Sequence, residues 1–201
     1  MRQVLAAVVA IVATAGLAGC STDSKAAPTA TAATVAPTAE APTTEAATPS
    51  TFPGEPEGTK TYAGLARTHV DTHVDYPQTP PVGGPHNPVW QTCQFYDQPI
   101  YNETGVHSME HGAVWITYSP DLPADQIAEL RALEPSKDFL LISPYEGLPA
   151  KVVATAWGKQ LYLDSVDDPR LAQFIALFEH GPQTPEEGVT CQGGTVQLAT
   201  S

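Results

Sequence analysis

From Ala113 onward, apolar and polar positions follow two different periods. "AVWITY" (113–118) and "FLLISPY" (139–145) are short β-branched and aromatic runs, the composition of buried strands. Between them lies "DLPADQIAELRAL", in which Ile127, Leu130 and Leu133 recur at helical spacing. Asp121 supplies a cap and Pro123 sits in the first turn, so the pattern predicts a helix near 124–133. "KVVATAWGKQLYLDS" reads as a hairpin over 151–164 that turns near Gly158 and Lys159. In "DDPRLAQFIALFEHG", Leu171, Phe174, Ile175 and Phe178 fall at i, i+3, i+4 and i+7 behind an Asp168 cap and Pro169. This predicts a helix near 169–179, ended by Gly181, with His180 in its last turn, where the dipole favours a cation. The expected fold class is α+β: a small mixed sheet with two main helices.

The preceding stretch has neither period. "HVDTHVDYPQTPPVGGPHNPVWQTCQFYDQPIYNETGVHSMEHG" is crowded with Pro, Gly, Asn and His, which force turns and irregular backbone. It forms a long Pro/Gly-rich irregular N-terminal half, and it holds five of the six histidines. Long irregular segments inside a domain are frequently functional, so the chemistry is sought here.

Further upstream the composition changes twice. Residues 1–20, "MRQVLAAVVAIVATAGLAGC", combine Arg2, an apolar run from Val4 to Ala13 and a small-residue site ending in Cys20. The run is shorter than the about 20 residues of an ordinary spanning helix, and the pattern resembles a bacterial lipoprotein signal peptide. Cys20 would become the lipidated first residue, a membrane anchor on the extracytoplasmic face of the cell membrane. A plain secretory peptide is the alternative. Residues 21–58 are rich in Ala, Thr, Pro and Glu without apolar periodicity, which predicts a disordered tether that O-glycosylation could modify. Residues 59–201 are then a single globular domain. That part carries seven Lys and Arg against seventeen Asp and Glu, which argues against nucleic acid and against adhesion to anionic lipid beyond the anchor.

Beyond Cys20 only Cys93 and Cys191 remain. In an exported domain such a pair forms a disulfide; thiolate ligation of a metal is the competing reading, disfavoured by the lack of C-x-x-C clustering.

The stretches "HVDTHVDYPQTPPVGGPHNPVWQTCQFYDQPI", "HSMEHGAVWITYSPDLP" and "AWGKQLYLDS" resemble a bacterial family catalogued as domain of unknown function 3105, over about Arg67 to Gly194. The resemblance implies no established reaction. It places the family's recurring polar positions on His69, His86, His107, Glu110 and His111. His73 is an addition in this chain, and Met109 stands where relatives often have leucine.

"HSMEHG" sets His107 and His111 four apart. On a helix both imidazoles would share one face. Gly105 and Gly112 bound the motif, however, and a strand follows, so a turn feeding that strand is expected. His86, in the rigid turn "GGPHNP", is the natural third ligand and His69 the fourth. Glu110 is either a ligand or an acceptor for an imidazole N–H, and Met109 would suit Cu⁺. The expected function is metal binding or trafficking, with copper slightly ahead of zinc as the cofactor and the ion as the partner. Structural histidines that satisfy irregular backbone are the alternative, in a non-catalytic scaffold using Trp90, Phe95, Tyr96 and Tyr101 for a protein partner. A metallohydrolase is the enzyme reading, because "HSMEH" has the H-x-x-E-H spacing; a helical motif would favour it. No G-x-S-x-G elbow or phosphate-cradling glycine motif supports other enzyme classes.

Overall fold

The computed structural model describes residues 53–133 and 138–200. The leader, Cys20 and the tether up to residue 52 lie outside the described residues. Five strands form one mixed sheet: β1 (Lys60–Thr61), β2 (Val114–Tyr118), β3 (Leu140–Pro144), β4 (Val152–Ala156) and β5 (Lys159–Leu163). Their order is β1-β5-β4-β2-β3, with β2 and β3 parallel and every other pair antiparallel. The parallel pair requires a crossover, and helix α2 (Ala124–Leu133) supplies it. Helix α3 (Pro169–Phe178) begins at Asp168, whose carboxylate accepts from the Arg170 N–H with Pro169 in the first turn.

The strands and these two helices follow the hydrophobic pattern. β4 and β5 join through Trp157 and Gly158, the latter at φ +68°, one residue before the expected turn centre. The sheet is buried on both faces. Val114, Ile116, Ile142, Ala154 and Leu161 pack with Leu171, Phe174 and Phe178 on one side. Trp115 and Leu141 point the other way, against Val106, Met109 and the Cys93–Cys191 pair. The cysteines are disulfide-bonded, with Cα atoms 5.4 Å apart.

Three features depart from the sequence expectations. There is a third helix, α1 (Asn102–Glu110), so "HSMEHG" is not a turn feeding a strand but the last turn of a helix and its cap. Helix α3 stops at Phe178, and His180 lies beyond it at φ +52°, its ring against Phe139 at a centroid distance of 3.7 Å. Residues 53–58 take part in the fold: the Glu55 carboxylate meets Lys159 Nζ at 2.6 Å with both side chains buried, and Arg170 donates to the Glu57 carbonyl. The irregular layer is as expected, since residues 62–101 contain only isolated bridges such as His69 to His86.

Candidate metal centre

Helix α1 positions most of the site, and its end is a Schellman cap. The Gly112 N–H donates to the Met109 carbonyl and the Ala113 N–H to the Ser108 carbonyl, with Gly112 at φ +105°. This geometry releases the chain into β2 and leaves His107, Glu110 and His111 on the helix side that meets the irregular layer. Met109 points away. It is fully buried in the apolar cluster with Val106 and Trp115, so its thioether is core and not a ligand, contrary to the option weighed above.

The irregular layer brings the other two histidines. The Val70 N–H donates to the His86 carbonyl at 2.7 Å and the His86 N–H to the Thr68 carbonyl at 3.0 Å. This two-bond bridge sets His69 beside His86, with ring centroids 5.0 Å apart. The His107 ring lies 4.9 Å from each of them.

Three imidazoles are oriented by the backbone. Nδ1 of His86 meets the Gly84 carbonyl at 2.7 Å, Nδ1 of His107 the Asn87 carbonyl at 2.7 Å, and Nδ1 of His111 the Thr190 carbonyl at 2.8 Å. A carbonyl only accepts, so each Nδ1 carries the proton and each Nε2 presents a lone pair when the ring is neutral. That is the arrangement by which metal-ligating histidines are commonly held.

Two sets of ligand atoms result. His69, His86, His107 and Glu110 each place one within 4.8 Å of every other, and His107, His111 and Glu186 do the same. His86, His107, His111 and Glu110 are all at most 4% exposed, whereas His69 and Glu186 reach the surface. The structure therefore brings His69, His86, His107 and Glu110 together and assigns His111 to an adjoining set through His107. Glu186 had no signal in the sequence; it lies 76 residues from Glu110 and is placed by its N–H donating to the Glu110 carbonyl at 3.1 Å. His73 belongs to neither set. Its Nδ1 pairs with Glu103 Oε1 at 3.0 Å, and it borders a polar cleft of about 570 Å³ with Asp71, Asn87 and Tyr101.

One contact is diagnostic. His86 Nε2 has no hydrogen-bond partner, yet Glu110 Oε2 lies 2.9 Å away, with both side chains buried. With Nδ1 as the donor, two lone-pair bearers face each other, which is stable only with a positive charge between or beside them, a proton or a metal ion. Metal bonds of about 2.0 to 2.1 Å place neighbouring ligand atoms about 3 to 3.5 Å apart; the His86–Glu110 pair is that close, and His69 Nε2 stands farther off, 3.9 Å from the same oxygen. Arg67 holds the other carboxylate oxygen, Nε to Glu110 Oε1 at 2.6 Å, so Oε2 remains directed at the histidines.

Burial holds the His107 imidazole well below the ordinary histidine value, down to about 4; neighbouring His111, His86 and His69 push the same way against the Asn87 hydrogen bond. Burial also lowers His111, opposed by the Thr190 carbonyl and by Glu186 and Glu110. Both rings are therefore neutral and able to ligate near pH 7.

These features define an α+β domain with a buried histidine–carboxylate centre between a short helix and an irregular layer. The chain belongs to the family described as protein of unknown function (DUF3105), whose model matches residues 69–193 and so spans every histidine and glutamate of the two sets. Comparison with curated proteins and with solved structures gave no match.

Proposed function

We propose that this protein binds a divalent d-block cation at His69, His86, His107 and Glu110, and that it does so as an envelope lipoprotein in copper or zinc handling. The observation that carries the reading is the His86 Nε2–Glu110 Oε2 pair, two buried acceptors at 2.9 Å inside a cluster of backbone-anchored imidazoles. A proton on Nε2 would make the contact a buried ion pair, but the two atoms lack hydrogen-bond alignment, which favours a metal ion between them. Three imidazoles and one carboxylate suit Cu²⁺ or Zn²⁺, and the Irving–Williams order favours copper.

Arg2, the apolar run and "LAGC" support export and lipid anchoring at Cys20, and the buried disulfide agrees with an oxidising compartment. Among the described residues no helix is long and apolar enough to cross a membrane. In this reading the lipid at Cys20 provides the attachment, which mass spectrometry of the N-terminal peptide tests directly. An unmodified Cys20 in membrane-fraction protein would sink the anchoring.

The metal reading is tested by elemental analysis of the untagged chain and by titration with Cu²⁺ and Zn²⁺. One equivalent bound at micromolar or lower concentration is expected. His86→Ala should weaken binding by at least about tenfold, and His180→Ala should leave it intact. Glu110→Gln keeps the shape but loses the charge, and should weaken binding by at least about tenfold. A wild-type chain that takes up neither ion at micromolar concentration overturns the reading.

The helical setting of H-x-x-E-H favours one further possibility, a zinc hydrolase with His107 and His111 as ligands and Glu110 as general base. Against it, Glu110 is held by Arg67 and faces His86, so it is not free to act as a general base beside the His107–His111 pair. Peptide or ester turnover by the zinc-loaded chain that is lost in Glu110→Gln would restore the hydrolase.

A further inference from the structure

We infer that a single cation has two overlapping positions in this protein, an inner one at His69, His86, His107 and Glu110 and an outer one at His107, His111 and Glu186, and that it passes between them while His107 remains bound. The inference rests on the metal reading above.

His107 is the hinge of the argument. It is the one residue common to both sets, and its ring stands 4.9 Å from His69 and from His86 and 4.6 Å from His111. Its Nδ1–H is committed to the Asn87 carbonyl, so Nε2 is its sole ligating atom and can complete one set at a time. The outer set is built in the same manner as the inner. His111 is 2% exposed, its Nδ1–H is anchored on the Thr190 carbonyl, and its Nε2 points at Glu186 Oε2, 3.6 Å away.

Charge leads to the same single-ion count. The two carboxylates and Arg67 sum to one negative charge, because the guanidinium reaches both: Nε to Glu110 Oε1 at 2.6 Å and an Nη to Glu186 Oε1 at 3.5 Å. One divalent ion leaves a single excess positive charge in this arrangement, whereas two would leave three. Two ions within a few ångströms would leave an uncompensated excess beside buried imidazoles. Arg67 also takes the Oε1 atom of each glutamate, leaving each Oε2 turned to its own histidines.

A fixed structural ion needs only one closed set of ligands. A four-ligand set and a three-ligand set joined at one histidine give a path in which a bond is made before another is broken, as an ion acquired at the surface and later released requires. The class of ligand is an imidazole-preferring divalent ion such as Cu²⁺.

The test is Cu²⁺ titration of the untagged full chain, read by electron paramagnetic resonance and by tryptophan fluorescence. Trp90 stands 4.9 Å from His111 and 5.9 Å from the shared His107, and Trp157 stands 5.8 Å from His86, so moving the ion outward shifts the balance of quenching toward Trp90. Wild type should bind one equivalent. His86→Ala should still bind one equivalent, at least about tenfold more weakly, with a changed resonance spectrum and quenching shifted toward Trp90 in a Trp157→Phe comparison. His111→Ala with Glu186→Gln should keep the inner spectrum and release copper to a chelator at least about tenfold more slowly. His107→Ala should lose both. Two equivalents in wild type, or no binding by folded His86→Ala together with unchanged release from the His111/Glu186 variant, overturns the two-position inference while the inner site stands. No copper or zinc bound by wild type at all overturns the metal reading itself.

Discussion

The ionisation of His107 follows from the placement of its ring. It is 4% exposed, carries its proton on Nδ1 for the Asn87 carbonyl, and is surrounded by three other imidazoles. Burial and like neighbours bring its folded-state value to about 4 from an ordinary 6.5. Between those two values the unfolded chain binds the proton and the folded chain does not. Stability is therefore fully present above about pH 6.5 and is lost as pH falls through about 4. The shift is worth on the order of 3 kcal/mol. Urea unfolding of the metal-free domain should show a loss of that order between about pH 7 and about pH 4. His107→Gln, which keeps a donor for Asn87 without a titrating ring, should flatten much of this slope. An unchanged slope would show that other groups carry the acid sensitivity.

Helix α1 is where the sequence was hardest to read, for a reason visible in its packing. In the sequence Gly105 reads as the boundary of a turn, since glycine costs about 1 kcal/mol relative to alanine inside a helix. Here it is the point where helix and sheet touch: a Cβ at Gly105 would lie 2.9 to 3.1 Å from the Trp115 ring. Close approach to a tryptophan ten residues away leaves no periodic signature. Helix α2, helix α3 and strands β2 to β5 had such signatures, in Leu130, in Phe174 with Phe178, and in the Val152–Leu163 hairpin, and they stand where the pattern put them. Gly112 was legible as a stop but not as a Schellman cap, which depends on the helix before it. Among the site residues, the histidine density and the family resemblance pointed to this region. Glu186 escaped notice because only the fold brings its loop to the Glu110 carbonyl. The same contact gives a prediction. Gly105→Ala should gain helix propensity yet destabilise the domain by about 1 to 3 kcal/mol through overpacking on Trp115. Because α1 carries His107 and Glu110, cation affinity should fall with stability. A variant more stable than wild type with unchanged affinity would refute the close-packing account.

The molecule is held together across its length by a C-terminal stretch that runs beside the irregular layer. The Thr92 N–H donates to the Thr195 carbonyl, the Thr195 N–H to the Trp90 carbonyl, and the Ala199 N–H to the Pro99 carbonyl. The disulfide fastens this seam, since Cys93 and Cys191 are 98 residues apart in sequence and both buried. Closing so long a loop contributes about 4 to 5 kcal/mol in the chain-entropy account. The same stretch supplies the Thr190 carbonyl that orients His111 and follows directly on Glu186, whereas the partners of His86 and His107, Gly84 and Asn87, lie in the layer on the other side of the seam. Global stability and the outer cation position thus share one covalent support, and the inner position does not depend on it. Replacing both cysteines with serine should lower the unfolding free energy by about 4 kcal/mol, measured in urea. At temperatures where the variant remains folded by circular dichroism, it should keep the inner Cu²⁺ spectrum and release the ion more slowly, as His111→Ala with Glu186→Gln does. Loss of inner binding in the folded variant would show that the seam supports the whole centre, and that the two positions are not mechanically separable.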